Sequence, residues 1–183
     1  MGVDQSFNSC GIAVIDRDGK LVHSQVIGSD KRQSVYQRSW SILKEIEKII
    51  VERGVRHVAI EGLAMAMSGN ATRSLAILQG VIVTNLNYNP PSGHPLDPVR
   101  IVAPTSLKKF ATGSGKAGKA DVIAALPIEI RLTWSLHHRQ SLDDLADAYF
   151  LATHLRQSVT HPDKKLVWIR PRFRMRIRPK SIQ

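Results

Sequence analysis

Hydrophobic and polar positions alternate near the start of the chain in a pattern typical of antiparallel strands. Apolar runs at 11–15 and 21–27 flank a polar turn at 16–19, which contains an Asp-Gly pair. Such a turn between β-rich runs indicates a hairpin. A shorter apolar run before it ends at Asp4. The chain is therefore predicted to begin with antiparallel strands, with Asp4 at the end of the first.

The spacing of apolar residues then becomes helical. Positions three and four residues apart are apolar through 34–53, and Gly54 follows, which predicts an amphipathic helix ended by that glycine. Its apolar stripe consists of Tyr36, Trp40, Leu43, Ile46 and Ile50. A second helix is predicted over 70–86, with candidate core residues Ala76, Leu78, Val81 and Ile82. Between the two helices, the run 55–60 predicts a short apolar strand ending at Glu61.

The second half of the chain alternates in the same way. A loop rich in Asn, Pro and Gly is predicted at 87–95, and a strand at 100–102. Further helices are predicted over 105–111, 119–126 and 143–157. Strands followed by alternating helices and strands favour an α/β fold built on a mixed β-sheet flanked by helices. With 183 residues, a single domain is expected.

The charge of the chain restricts its partners. Its net charge is +11 and its pI about 10.2, as expected of a protein that binds nucleic acid, although ribosomal proteins and membrane-surface proteins share this trait.

No apolar stretch approaches 18 residues, so no membrane span is predicted. The single cysteine, Cys10, excludes an intramolecular disulfide and a zinc cluster made of thiolates. We therefore expect a cytoplasmic protein.

The last residues, 161–183, are predicted to form a basic C-terminal extension. Arginines alternate there with apolar residues: Arg170, Arg172, Phe173, Arg174, Met175, Arg176, Ile177 and Arg178. A period of two is typical of a strand with one cationic and one apolar face. An edge strand protected by charge, an arm that follows DNA and a segment bound to a partner all fit this pattern.

Four acidic residues stand out in so basic a chain. Asp4 and Glu61 each end an apolar run, and Asp144 and Asp147 are spaced to share one face of the last helix. Hydrolysis of a phosphodiester can use two metal ions, and Mg²⁺ prefers oxygen ligands. Each residue also has an ordinary structural interpretation, such as an Asx-turn, a lone ion pair or a charge that complements a helix dipole. Together they favour the metal site of a nuclease.

A glycine-rich segment, 113–119, matches the start of a nucleotide-binding P-loop. However, Ala120 stands where a P-loop has Ser or Thr, and a helix is predicted before the segment instead of a strand. Backbone amides with Lys116 and Lys119 suit a phosphate of the DNA backbone equally well. A plain surface turn is the other interpretation.

Four motifs in this order resemble those of the RuvC family of Holliday junction resolvases, which have the ribonuclease H-like fold. They are Gly2-Val3-Asp4-Gln5-Ser6 with Gly11-Ile12-Ala13-Val14, then Val58-Ala59-Ile60-Glu61, then 103–108 continuing to 112–122, and Asp144-Leu145-Ala146-Asp147-Ala148. The third motif is the most specific, because the others occur throughout the ribonuclease H-like superfamily.

The resemblance implies a homodimer that binds four-way DNA junctions and nicks two strands symmetrically. It implies two Mg²⁺ ions per active site, for which Mn²⁺ can substitute, in a nuclease domain spanning 1–160. The residues that match the metal ligands of the family are Asp4, Glu61, Asp144 and Asp147. Lys108 and Lys119 match lysines that contact DNA near the cleaved phosphate. A bacterial or phage-infected cell is the implied setting.

The chain also departs from the family pattern. Ala64 stands where the family often has an aromatic residue that enters the junction, with Met65 and Met67 close by. A broader branched-DNA nuclease, as in phage members, therefore stays open. So do a non-catalytic protein that binds branched nucleic acid and a nuclease acting on RNA–DNA hybrids. Whether Asp143 or His154 joins the site is also open.

Overall fold

The protein is seen here as a computed structural model, which describes residues 1–63 and 69–161 and the strand at 168–169. Its centre is a six-stranded sheet. The strands are β1 (Gly2–Asp4), β2 (Cys10–Ile15), β3 (Leu21–Ile27), β4 (Ala59–Glu61), β5 (Arg100–Val102) and β6 (Trp168–Ile169). Their order across the sheet is β3-β2-β1-β4-β5-β6.

The sheet is mixed. Strands β1, β4 and β5 are parallel neighbours, whereas β2, β3 and β6 run antiparallel to theirs. The predicted hairpin is confirmed as β2 and β3. The Asp16 carboxylate closes its turn by accepting hydrogen bonds from the backbone N–H groups of Asp18 and Lys20, at 3.0 and 2.8 Å.

Six α-helices surround the sheet within the described residues. They are α1 (Val35–Arg53), α2 (Asn70–Tyr88), α3 (Pro104–Thr112), α4 (Lys119–Ala124), α5 (Ile128–His137) and α6 (Leu142–Thr160). Five correspond to predicted helices with shifts of a few residues at their ends. Helix α5 was not predicted, and a single 3₁₀ turn at Arg139–Ser141 connects it to α6.

Side chains along each strand point alternately to the two faces of the sheet, so the core has two layers. Val3, Ile12 and Ile60 point to the side covered by α1 and α2. Ala13, Ala59 and Val102 point to the other side, which α3, α4, α5 and α6 cover. The result is a three-layer α/β/α domain, as predicted, with α6 lying across β1 and β2.

Helix α1 confirms its predicted ends but corrects its predicted apolar stripe. Ser34 and Gln37 form a capping box, and Gly54 ends the helix with φ +62°. Leu43, Ile46 and Ile50 are fully buried. Tyr36 and Trp40, by contrast, are 67% and 50% exposed, because the buried face of the helix runs through Ser39 and Ile42 instead.

The extension contributes an edge strand. Residues Trp168 and Ile169 pair antiparallel with β5, which places β6 at one border of the sheet. The run of arginines from Arg170 onward lies outside the described residues, as do Ala64, Met65 and Met67. In the described part of the chain, no helix is long and apolar enough to cross a membrane.

Candidate active site

Two of the four predicted acidic residues lie side by side at one edge of the sheet. Asp4 ends β1 and Glu61 ends β4, and the parallel register of these strands pairs Val3 with Ile60. The next residue of each strand therefore emerges at the same edge and on the same face of the sheet. This is the face that α6 covers.

Two glycines let α6 approach this face closely. A Cβ atom added to Gly2 would lie 2.0 Å from the Ala148 carbonyl oxygen, and one added to Gly11 would lie 2.3 Å from the Asp144 carbonyl oxygen. Gly11 is also the cross-strand partner of Asp4. The first turns of α6, with Asp144 and Asp147, therefore rest beside the end of β1. Sequence patterns gave no sign of these two contacts.

The pKa of Asp4 reflects both its burial and the charges of the acidic side chains around it. Burial raises the pKa of the Asp4 carboxyl well above its usual range. Neighbouring carboxylates raise it further: Glu61, Asp147, Asp144 and Asp143. The structure thus brings all four predicted acidic residues together, with Asp143 as a fifth.

Lys108 faces two members of the group. Burial raises the pKa of Glu61 to about 7, and the negative charge of Asp147 adds to this increase, while the Lys108 ammonium opposes it. Burial likewise raises the pKa of Asp147 to about 6, and Lys108 again opposes the shift. Helix α3 therefore presents a cation to Glu61 and Asp147.

Asp143 and Asp144 are held by neighbours. The Lys119 ammonium donates a hydrogen bond to the Asp143 carboxylate. Burial alone would raise the pKa of Asp143, but this ion pair lowers it overall. Burial raises the pKa of Asp144, against the opposing effect of hydrogen bonds with Ser9 and Asp4. Lys119 is thus placed by its contact with Asp143.

Two glutamines fix the strand end that carries Glu61. The side-chain amides of Gln5 and Gln79 both donate to the Glu61 backbone carbonyl, at 3.1 and 2.8 Å. Gln79 lies on α2, so this bond connects the helix layer on the far side of the sheet with the site. Neither glutamine was predicted to have this role: Gln5 stands in the first motif without an assigned function, and no local pattern marks Gln79.

The glycine-rich loop does not have the P-loop arrangement. It follows helix α3 where a P-loop follows a strand, and the helix after it has only six residues. The Gly118 N–H at the start of α4 already donates to the Asp121 carboxylate at 2.8 Å. Lys116 is exposed in this loop, on the same side of the molecule as α4.

His154 lies in the core and not at the acidic cluster. It is 2% exposed, and its ring meets the Phe110 ring edge to face at a centroid distance of 5.0 Å. Burial lowers its pKa, which favours the neutral imidazole. Two helical turns separate it from Asp147. The structure therefore assigns His154 to packing between α3 and α6.

The donor chemistry of the cluster suits hard divalent cations. All candidate ligands are carboxylates, and a bound cation would offset both their burial and their mutual repulsion, the two causes that raise their pKa values. As the side chains stand in the described residues, no three His, Cys, Asp or Glu side chains are grouped to hold one ion. Binding therefore requires these carboxylates to move closer together around a shared ion.

The raised pKa values predict how stability depends on pH. A carboxyl whose pKa is higher in the folded protein stabilises it fully below the unfolded value, near 4, and this contribution is lost as pH rises through the folded value. Glu61 and Asp147 place that loss between about pH 4 and 7. In metal-free buffer that contains a chelator, we expect Tm to be at least about 3 °C lower at pH 8 than at pH 5.5.

Scanning calorimetry with and without Mg²⁺ checks this expectation. Added Mg²⁺ should raise Tm more at pH 8 than at pH 5.5, because the ligands must be deprotonated to bind it. The Asp147→Asn variant should lose part of the pH dependence. A Tm that rises from pH 5.5 to 8 in the chelator would contradict the electrostatic description of the cluster.

Comparison with known proteins gives consistent matches. Residues 1–154 match the family model for crossover junction endodeoxyribonuclease RuvC. RuvC of Gluconobacter oxydans is 29% identical over 167 residues, covering 88% of this chain and 93% of the relative. RuvC of Rickettsia felis is 26% identical over 153 residues, covering 81% and 94%.

Solved structures agree on the fold. Thermus thermophilus RuvC in complex with a Holliday junction substrate superimposes with a TM-score of 0.64 at 18% identity, covering 87% of this chain and 94% of that one. The yeast mitochondrial Holliday junction resolvase superimposes with a TM-score of 0.56 at 13% identity, covering 85% and 76%. The predicted ribonuclease H-like fold is confirmed, and the chain belongs to the RuvC family of crossover junction endodeoxyribonucleases.

Proposed function

We propose that this protein is a magnesium-dependent endonuclease that resolves four-way DNA junctions by paired, symmetric nicks. The observation that supports it best is the convergence of carboxylates from β1, β4 and α6 at one edge of the sheet, beneath lysines from α3 and α4. The relatives named above are named crossover junction endodeoxyribonucleases. A homodimer is part of the proposal, since two symmetric nicks require two active sites.

Asp4, Glu61, Asp144 and Asp147 would hold two Mg²⁺ ions, with Mn²⁺ as a substitute because it also accepts carboxylate ligands. When bound, the ions supply an activated water and stabilise charge on the phosphate and the leaving oxygen. The protein contributes the placement of these ligands. Asp4 and Glu61 are held at the ends of β1 and β4. Asp144 and Asp147 are held in the first turns of α6, which packs closely against two glycines of the sheet.

The lysines act on the DNA backbone in this proposal. Lys108 faces Glu61 and Asp147, so its ammonium would attract a phosphate that reaches the cluster. Lys119 is paired with Asp143 and can exchange that partner for a phosphate. Lys116 is exposed in the adjacent loop, where it can contact a phosphate further along the strand. The net charge of +11 attracts DNA at longer range.

The rest of the chain completes the proposal. Residues 1–160 form the nuclease domain, and 161–183 are a basic extension whose first part adds β6 to the sheet. A bacterial cytoplasm or a phage-infected cell supplies branched DNA and Mg²⁺ together. Binding is expected to weaken steeply with salt, because phosphate contacts release counterions.

The direct test compares three labelled substrates: a synthetic four-way junction, a replication fork and an RNA–DNA hybrid. The proposal expects Mg²⁺-dependent cleavage of the junction, with nicks at symmetric positions in two strands of like polarity. Equal cleavage of the fork would favour a broader branched-DNA nuclease. Cleavage of the hybrid alone, or binding without turnover, would contradict the proposal.

Two adjacent lysines provide a matched pair for the DNA contact. Lys108 faces the carboxylates, whereas Lys109 is exposed on the outer side of α3. We expect Lys108→Ala to reduce single-turnover cleavage by about 10²-fold, the usual cost of removing one electrostatic stabiliser. Lys109→Ala removes the same charge and should change the rate less than about threefold. Equal losses in both variants would refute a specific role for Lys108.

A further inference from the structure

We propose that the molecule holds a second binding site, for a short acidic peptide segment with apolar side chains, at the edge of the sheet opposite the carboxylates. A pocket of about 910 Å³ opens there. It lies where β2 ends, where the chain enters β4 and β5, and where α6 ends. A volume of this size falls within the range of sites that bind ligands.

The floor of the pocket is apolar. Helix α6 contributes Leu155 and Val159, spaced to lie on one face, and the hairpin contributes Val14 and Val22. Val22 and Val159 are 45% and 38% exposed, which is unusual for valines that share one concave surface. An apolar group placed there would remove this surface from water.

The rim of the pocket is cationic. Four arginines line it: Arg17, Arg53, Arg56 and Arg156. The Arg156 Nε donates to the Arg17 backbone carbonyl at 2.8 Å, which fixes one guanidinium beside the opening. The two acidic residues of the lining have partners of their own. The Asp16 carboxylate accepts hydrogen bonds from backbone N–H groups of the hairpin turn. The Asp97 Oδ2 lies 2.8 Å from His57 Nδ1.

This combination selects the occupant by charge and by polarity. Arginines recognise carboxylates through paired N–H donors, so the ligand is anionic. A DNA backbone would satisfy the arginines but would leave Val22 and Val159 exposed to water. A peptide that carries both carboxylates and a Leu or Phe side chain covers both parts of the site. We infer that the partner is a protein with an exposed acidic segment of this kind.

The position of the pocket separates it from cleavage. Arg156 follows Asp147 by nine positions in α6, a rise of about 13 Å along the helix. The carboxylates are at the carboxyl ends of β1 and β4, and the pocket is at their amino ends. A partner bound in the pocket would therefore leave the acidic edge open to DNA and could bring the nuclease to its substrate.

The test measures fluorescence anisotropy of a labelled peptide, Asp-Glu-Leu-Phe-Asp-Glu, against the full chain in moderate salt. A control peptide replaces Leu and Phe by Ser and keeps every charge. The proposal expects saturable binding of the first peptide, at least about tenfold tighter than the control, since the apolar side chains add buried surface. Equal binding of the two peptides would show general attraction to a basic protein and would overturn the proposal.

Variants then locate the site. Arg56→Glu and Val159→Glu should each weaken binding at least about tenfold, because both place an acid against the acidic peptide. Lys31→Glu makes the same charge change as Arg56→Glu on an exposed turn outside the pocket and should have little effect. Equal weakening by all three variants, or displacement of the peptide by a short DNA duplex, would contradict a separate peptide site. Tm measurements confirm that each variant is folded.

Discussion

The Asp4→Asn variant is expected to bind a four-way junction with nearly unchanged affinity and to cleave it at least about 10³-fold more slowly. Asp4 lies at the centre of the acidic cluster, and every other member raises its pKa. An amide keeps the shape of the side chain but loses the charge that would hold a cation. Metal assistance lowers a barrier by several kcal/mol, and each 1.36 kcal/mol corresponds to tenfold in rate.

Single-turnover cleavage at saturating protein separates this loss from a binding defect. Asp18→Asn is a matched control, because it also removes one carboxylate and lies on the exposed hairpin turn. It should cleave at the wild-type rate. Increasing Mg²⁺ should raise the cleavage rate of the wild type and leave that of Asp4→Asn almost unchanged. If Asp4→Asn cleaves within tenfold of wild type, the proposed metal site is wrong.

The four acidic residues could be predicted because each belongs to a local sequence pattern. An acid that ends a short apolar run lies at a strand end, and parallel strands bring such ends to one edge of a sheet. Asp144 and Asp147 needed only the helical period to share a face. Each of these inferences depends on a few neighbouring residues, so Asp4, Glu61 and the α6 pair could be predicted together from the sequence.

The contacts that position these residues could not be predicted in the same way. Gly2 and Gly11 meet the backbone of α6 more than 130 residues away, and nothing near them in sequence indicates it. Gln79 reaches the Glu61 carbonyl across the sheet from α2. Long-range contacts of this kind depend on the folded topology, which local propensity does not encode.

Helix α5 was missed for a related reason. Its apolar residues Ile128, Leu132 and Leu136 are exposed, so the apolar spacing does not mark the face that packs against the sheet. Its one fully buried residue is Trp134, which is 3% exposed and donates through Nε1 to the Ser24 hydroxyl of β3 at 3.1 Å. The partner that stabilises this helix lies 110 residues earlier in the chain.

The Gly11→Ala variant is expected to lose about 3 kcal/mol of unfolding free energy, at the upper end of the usual range for an overpacked core. The added methyl would lie 2.3 Å from the Asp144 carbonyl oxygen and 2.6 Å from its carbonyl carbon. Both are backbone atoms of α6, so no side chain can turn away to make room. The helix must therefore move off β2, and Asp144 must move with it.

Cleavage should fall together with stability, because a shift of about 1 Å at the acidic cluster can cost 10²-fold in rate. Gly28→Ala is the matched control. Its added methyl would lie 3.4 Å from the Asn8 carbonyl oxygen, an ordinary contact, and denaturant unfolding should change by less than about 0.5 kcal/mol. Both variants are compared by urea unfolding and by single-turnover cleavage below the transition. If Gly11→Ala unfolds and cleaves like the wild type, α6 does not depend on this glycine to bring its carboxylates to Asp4.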